Sequence, residues 1–377
     1  MLHCEHLHNP ASLDELSTVW EELFVNCNAE PSTSFEWTKA LLETHLSPTD
    51  KFFITIVKDA DTPIAILPFL IREISRGGIK FRVLMPVSEL YNTHSDLLIR
   101  DYSAEIVQFL LTSLLSLKEK WDIFRMNHML ENNPFLLTLR SSAIQHIRFH
   151  TTRTEPSFYI PLDETFEHYL HNRSKNFRKN LRRMKKKLGE KGEISFVQYV
   201  DLQTLSKAYD DLLTIEKRSW KHKHGTAISS IPKQEQFYWL LCQGAAGKKR
   251  LRLIFLYLNQ QPAAYYIGLI SNSSYKSLKS SYDAEYRPCS PSTVLRAHLI
   301  EDLIREGVHE FDFHAEPYKW ETQWTKDLKW HQSVIIYNKT TNARMFALYN
   351  WLTNNILNKK KDSTLNYHDP LATRPDT

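Results

Sequence analysis

Glycine is scarce in this chain, at nine of 377 residues. Phosphate loops of the Gly-x-x-x-x-Gly-Lys-Ser/Thr type, Gly-x-Gly-x-x-Gly dinucleotide turns and Gly-x-Ser-x-Gly nucleophile elbows all need glycine where the backbone bends sharply or meets a ligand, and none of them occurs. Nucleotide hydrolysis and hydride transfer are demoted accordingly. Cysteine is sparser still. Cys4, Cys27, Cys242 and Cys289 lie far apart with no Cys-x-x-Cys spacing, which argues against a zinc site, offers no disulfide framework and points to reducing cytoplasm. No apolar run is long enough to span a bilayer, and the first residues, with His3, Cys4, Glu5, His6 and His8, lack the uninterrupted apolar core of a signal peptide. Three histidines so close could ligate a metal, but a solvated chain end is the simpler reading, and no metal is expected.

What is present is an ordinary globular composition, 42% apolar and 24% charged, in a chain long enough for two domains that each bury a core. Periodicity yields one element order twice. In the first pass, helices near 12–26, opened by a Ser12 to Glu15 capping box, and near 35–46 precede strands near 52–58, 63–72 and 79–86. A helix at 103–118, a strand at 121–127, a short helix near 133–143 and a strand near 147–152 follow. In the second pass, helices near 201–222 and 233–245 precede strands near 250–258, 262–271 and 275–282. A helix at 291–306, a strand at 308–314, a short helical piece near 317–325 and a strand at 330–338 follow. Trp121-Asp-Ile-Phe-Arg-Met and Val308-His-Glu-Phe-Asp-Phe occupy matching points. The expected architecture is α/β (α+β): tandem units at 1–155 and 201–358, each a mixed central sheet flanked by helices, with a connecting segment at 156–200 and a disordered tail at 359–377.

The two passes differ between their third strand and the helix after it. The second link ends in Arg287-Pro-Cys-Ser-Pro-Ser-Thr: Ser290 is a good N-cap residue, Pro291 suits the first helical position, and Ser292 and Thr293 keep the entry small. That helix start presents free N–H groups and the positive end of its dipole, a place for a pyrophosphate, and suggests coenzyme A chemistry. An ordinary helix start is the alternative. The first link, Pro86-Val-Ser-Glu-Leu-Tyr-Asn-Thr-His-Ser-Asp, is long and acidic, a poor place for pyrophosphate. Only the second unit is therefore expected to bind coenzyme. The first would wall an acceptor groove, with Tyr91, His94 and Asp96 as groove residues, or those three simply belong to a solvated loop.

Between the passes, residues 173–188 place Phe177, Leu181, Met184 and Leu188 on one helical stripe with Lys and Arg over the remaining surface. Such a helix packs by its stripe and keeps a solvated basic face. There is no interleaved aromatic set, and the whole chain carries only +5, so a specific nucleic-acid reader is not expected. Attraction of an anionic acceptor, carrier or surface at the periphery is the alternative.

Glu216-Lys-Arg-Ser-Trp220-Lys, the Tyr282-Asp283 strand end, the Ser290-Pro291-Ser292 entry, Phe311-Asp312-Phe313 and Glu316-Pro317-Tyr318-Lys319 form an ordered set. In that order and at similar spacing they resemble the GNAT-superfamily acetyltransferases associated with cellulose and exopolysaccharide biosynthesis (CelD-like), relatives of the Fem peptidoglycan transferases. The likeness covers about residues 155–340, and family members often carry Gly where Ser292 stands. It implies tandem GNAT-like units and an acetyl-CoA or longer acyl-CoA co-substrate held by Ser281, Tyr282, Ser290, Pro291, Ser292 and Thr293. The thioester would lie where the strands ending at Ser281 and Phe313 splay apart, with a backbone N–H on the carbonyl oxygen, a carboxylate or His freeing the acceptor amine, and a Tyr or water protonating the thiolate.

On that resemblance Asp312 or His314 is the base or acceptor anchor and Tyr318 the thiolate donor, while Glu316 and Lys319 contact substrate, and Trp220 and Lys221 border the acceptor groove. Each has a structural alternative: Asp312 as a strand-end cap or ion pair, His314 as a core histidine, Glu316-Pro317 as a turn and Trp220 as core. The implied reaction is N-acyl transfer to an amine of an amino sugar or of a cell-envelope or polysaccharide precursor, small or carrier-linked. Fem-like aminoacyl transfer from charged tRNA and a non-catalytic protein that binds envelope glycan or lipid are the other readings.

Overall fold

The computed structural model describes residues 1–10, 12–27, 29–91, 94–141, 144, 146–314 and 317–361, with side chains through 353. In chain order the elements are β1 (Leu2–Leu7), α1 (Ser12–Glu15), α2 (Ser17–Asn26), α3 (Phe35–His45), β2 (Lys51–Asp59), β3 (Thr62–Arg76), β4 (Ile79–Pro86), α4 (Ala104–Leu115), β5 (Ile123–Leu130), α5 (Pro134–Arg140) and β6 (Arg148–Pro161). There follow α6 (Phe166–His171), α7 (Lys175–Gly189), β7 (Ile194–Tyr199), α8 (Leu202–Arg218), α9 (Trp220–Lys223), α10 (Pro232–Gly247), β8 (Leu251–Leu258), β9 (Gln261–Ser271), β10 (Ser274–Tyr282), α11 (Pro291–Arg305), β11 (Glu310–Asp312), β12 (Leu328–Tyr337) and α12 (Thr341–Lys361). Two compact units result: Met1–Pro156 with the chain from Lys329 onward, and Ser157–Leu328. Each is a mixed sheet flanked by helices, as the alternation of strand and helix patterns predicts.

In the first unit the strand order is β1-β2-β3-β4-β5-β12. All neighbours are antiparallel except β4 and β5, which pair in parallel at Val83↔Ile123 and Leu84↔Phe124. Phe53, Phe69, Leu84 and Phe124 from the sheet meet Val107, Leu110 and Leu111 of α4 and Val334 and Ile336 of β12 in one core. Burial of this kind contributes ~1.5–3 kcal/mol for each large apolar side chain. In the second unit the order is β6-β11-β10-β9-β8-β7, with β10 and β11 the parallel pair, and α8 and α11 pack on β9. The helix faces follow the apolar period: Leu205, Ala208, Leu212 and Ile215 of α8 and Leu295, Leu299 and Leu303 of α11 are buried.

The closing strands are exchanged relative to the expected passes. Strand β12, expected to close the second unit, pairs with β5 of the first, from Val334↔Met126 to Tyr337↔Ile123. Residues 159–161 of β6 pair instead with β11. Each parallel pair leaves one edge open, and the strand that satisfies that edge arrives from a distant part of the sequence. The segment 156–200 is accordingly no connector: it supplies the end of β6, helices α6 and α7, and β7, which pairs antiparallel with β8.

Four smaller differences have local causes. Of the N-terminal histidines, His3 and His6 lie on β1, paired antiparallel with β2, where His6 Nδ1 lies 3.0 Å from Thr55 Oγ1, so this end is not simply solvated. The helix expected over 12–26 breaks at Leu16, and Ser12 starts α1 instead of capping it. Strand β11 is shorter than 308–314 because Phe313 N–H turns to Phe158 O and His314 adopts a left-handed φ of 54°. Helix α12 runs through Lys361, into the start of the tail expected at 359–377, and the rest of that tail lies outside the described residues. No helix among the described residues is long and apolar enough to cross a membrane.

Candidate active site

The parallel ladder of β10 and β11 is three pairs long and ends at Lys276↔Asp312. Beyond that pair β10 continues to Tyr282 alongside β9, whereas Phe313 turns toward β6, so the two strands part. A bulge leaves Leu278 as the extra residue between Ser277 and Lys279, increasing the local twist at the start of the gap. Next to the ladder, the ring of Tyr275 lies directly over Gly268 on β9, where an added Cβ would strike it. Only glycine admits that ring.

Asp312 seals the closed end of the gap. It is fully buried, accepts from Lys276 Nζ at 2.9 Å on one oxygen and from His314 N–H at 2.8 Å on the other, and Glu310 lies 3.7 Å from the same ammonium. A carboxylate so committed is a poor proton acceptor for substrate. Of the two expectations for Asp312, the ion pair is the one that its surroundings favour. His314 follows on the left-handed residue just described. Ser281 is buried on β10 with its Oγ lacking a hydrogen-bond partner, and Tyr282 ends the strand.

From β10 the chain enters α11 through a 3-10 turn at Ala284–Cys289, pinned by Asp283 accepting from Glu285 N–H. Ser290 differs from the N-cap expected of it. Its N–H closes the preceding turn on Arg287 O, its backbone is left-handed at φ 48°, and its side chain caps nothing; its carbonyl takes the N–H groups of Thr293 and Val294. Pro291 is buried at the first helical position, with Ser292 and Thr293 partly exposed behind it. The helix start therefore lacks the side-chain oxygen that ordinarily occupies such a position.

Lys221 on α9 is half-buried, its Nζ donating to Ser280 O on β10, and desolvation reinforced by nearby Lys279 lowers its pKa to about 8. Trp220 is half-buried, edge-on to His224. Tyr318 and Lys319 are exposed at the start of a 3-10 turn, Lys319–Gln323, with Tyr318 stacked on Trp320. Glu316 lies outside the described residues. Tyr91, His94 and Asp96 belong to the first unit, where His94 and Asp96 are buried, His94 against His331 with ring centroids 4.2 Å apart.

Two residues escaped the sequence reading. Glu321 is buried, accepts from Tyr318 N–H at 2.9 Å, and burial raises its pKa to about 8 despite that bond and the nearby Arg296 charge. Arg296 is 6% exposed on α11, its guanidinium 4.0 Å from the Trp320 ring centroid and 5.0 Å from that of Trp324. The signal for Arg296 was there: it shares a helical face with Leu299, Ile300 and Leu303, where a charge is out of place. For Glu321 a signal existed in its position three residues after Tyr318, the residue that precedes the turn.

Residues 175–321 match the profile of the acetyltransferase (GNAT) domain family, a stretch running from α7 through the gap and α11 to Glu321. The chain thus carries a GNAT-type acetyltransferase domain. No curated protein sequence is matched. Among solved structures, the crystal structure of FemX is similar with a TM-score of 0.59 at 12% identity, over 91% of this chain and 99% of that one. The C-terminal domain of a putative lysylphosphatidylglycerol synthetase from Agrobacterium fabrum gives 0.54 at 12% identity over 91% and 97%. L-PGS from Bacillus licheniformis gives 0.54 at 11% over 91% and 96%. At these identities the likeness is one of fold.

Proposed function

We propose that the second unit transfers an acyl group from acetyl-CoA or a longer acyl-CoA to an amine of an amino sugar or a cell-envelope precursor. The observation that carries this reading is the parting of β10 from β11 beyond Lys276 and Asp312, with β10 leading into a helix start that no side chain caps. A thioester in the gap would have its carbonyl oxygen within reach of β10 backbone N–H groups, and pyrophosphate would sit on the first turn of α11 around Ser292 and Thr293. The amine attacks the carbonyl carbon, the C–N bond forms as the C–S bond breaks, and the thiolate takes up a proton. Tyr318 remains our donor for that proton. Glu321 replaces Asp312 as the base, since a carboxyl raised to about 8 is matched to removing a proton from an ammonium near neutral pH. The pair of Asp312 with Lys276 and the fold of His314 over it would hold the gap open.

Calorimetric titration with acyl-CoA thioesters of rising chain length tests the donor. Saturable binding by wild type, with turnover that falls roughly 10 to 10⁴-fold in Tyr318→Phe while affinity persists, is expected. Absence of thioester binding, together with salt-steep tRNA binding that is lost when exposed Arg182, Arg183, Lys185 and Lys186 of α7 become Gln, would replace the reading with aminoacyl transfer.

A further inference from the structure

A cavity of ≈ 150 Å³ in the second unit is lined by Leu181 and Met184 of α7, Thr293 and Arg296 of α11, and Trp320 and Trp324 of the following turn, among others. Its one charged lining residue is Arg296. Among the described residues this guanidinium makes no hydrogen bond, and its Nε is buried without a partner, as is the nearby Tyr266 hydroxyl. Trp320 and Trp324 lie against it, which stabilises the cation through the ring faces but supplies no acceptor for its N–H groups. The nearby acidic side chains do not fill that role: Asp312 accepts from Lys276, and Glu321 accepts from Tyr318 N–H. A buried guanidinium N–H with no acceptor, as at Arg296 Nε, is costly unless something meets it.

We infer that this cavity is a carboxylate subsite, in which Arg296 grips the acid group of an amine acceptor that also carries a carboxylate. The geometry selects the chemistry. Aromatic rings beside the guanidinium favour an acceptor arriving in its plane, and two coplanar oxygens match the N–H fork. A single positive charge among otherwise uncharged walls, which include Asn180, Thr293 and Gln323, balances a monoanion better than a phosphate dianion. The Phe313 ring, on the residue where the chain leaves β11, lies 5.7 Å from the guanidinium, so the subsite borders the gap proposed for the thioester. The acceptor assignment rests on the proposed acyl transfer; the carboxylate site itself does not.

The test titrates the full chain with sodium acetate, sodium benzoate and sodium phosphate at fixed ionic strength, reading tryptophan fluorescence, to which Trp320 and Trp324 contribute, and melting temperature. Saturable binding of a carboxylate is expected, weakened at least about tenfold in Arg296→Gln and unchanged in Arg182→Gln/Arg183→Gln on the exposed face of α7. Should Arg296→Gln not fold, Arg296→Lys decides, because it keeps the charge and loses the fork, and weakened carboxylate binding is again expected. No saturable carboxylate binding, carboxylate binding indifferent to Arg296, or a preference for phosphate that is lost in Arg296→Gln would each overturn the inference. Acetyl-CoA is titrated in parallel: its failure to bind while a carboxylate binds removes the proposed donor and leaves the subsite standing, and the converse removes only the subsite.

Discussion

The two units use the same succession of strands and helix, yet treat the gap beyond their parallel pair in opposite ways. In the first, β4 and β5 part after Leu84↔Phe124, and Glu89 from the turn after β4 fills the opening. Its carboxylate accepts from Asn127 N–H on β5 at 2.6 Å, from the Asn127 side chain and from the Ser95 hydroxyl. Asp96, on the same loop, accepts from Asn133, Leu97 N–H and Glu30 N–H, and α4 is capped by Ser103. In the second, no carboxylate from the link enters the gap among the described contacts: Asp283 turns back onto Glu285 N–H, Ser281 Oγ has no partner, and α11 has no side-chain cap. One unit spends its polar groups on itself. The other leaves donors for a ligand, which is why the acyl donor is assigned to the second.

The largest effect expected from breaking this contrast is at the closed end of the gap. Asp312→Asn leaves Lys276 buried without its main counter-charge and should cost about 3–5 kcal/mol in urea unfolding. A loss below about 1 kcal/mol would return Asp312 to the list of free bases. Next, Ser292→Glu places a negative charge on the α11 entry and should weaken acyl-CoA binding on the order of 100-fold, about 2.7 kcal/mol, with the fold intact by circular dichroism. Unchanged affinity would mean that the phosphates lie elsewhere. Glu89→Ala should act only on the first unit, costing about 1–3 kcal/mol by stranding the Asn127 donors, with acyl-CoA affinity unaltered. If instead it creates a second acyl-CoA site, Glu89 is the plug that distinguishes the units.

Buried carboxyls extend the comparison to pH. Asp96, with its several donors, is raised from 3.8 to about 6, whereas Glu321, with one backbone donor, is raised from 4.5 to about 8, burial being the main cause in both. An acid whose folded pKa lies above its unfolded value binds more protons when folded, so its contribution is complete below the unfolded pKa and is lost as pH rises through the folded one. Stability from Glu321 therefore declines between about pH 4.5 and 8, by at most ~1.4 kcal/mol per pH unit. Glu321→Gln retains an acceptor for Tyr318 N–H and should flatten that decline in urea titrations at pH 5 and 8. Parallel wild-type and variant profiles would show that Glu321 does not titrate in this window.

Much of the scaffold is legible in local pattern. Continuous apolar runs such as Ile64 to Leu67 mark strands buried on both faces, and the stripe of Phe177 and Leu188 marks α7, whose Lys and Arg are largely exposed. The exchange of β6 and β12 is not legible, because both are ordinary alternating strands and their partners are fixed by long-range pairing. Nor is β1, where His3 and His6 interrupt the apolar alternation. At the candidate site, the order of strand, turn and helix is readable. Which carboxylate is paired depends on cross-strand register, as with Lys276 opposite Asp312, and which has its pKa raised depends on burial in the folded chain, as with Glu321.

The smallest expected effect is also the most direct reading of the contrast, since it compares two serines that stand at the same place before their helices. Ser103 is extended and its Oγ accepts from Ile106 N–H, so Ser103→Ala should cost about 1 kcal/mol. Ser290 is left-handed and its side chain caps nothing, so Ser290→Ala should forfeit no cap. Ser290→Gly relieves the Cβ crowding of a left-handed residue, worth ~1–2 kcal/mol, against the greater freedom glycine gains when unfolded, and should come out about 0.5 kcal/mol more stable. Thermal unfolding of the three variants decides the matter: equal losses at both serines would show that Ser290 caps α11 after all, and would remove the open helix start on which the acyl-CoA reading depends.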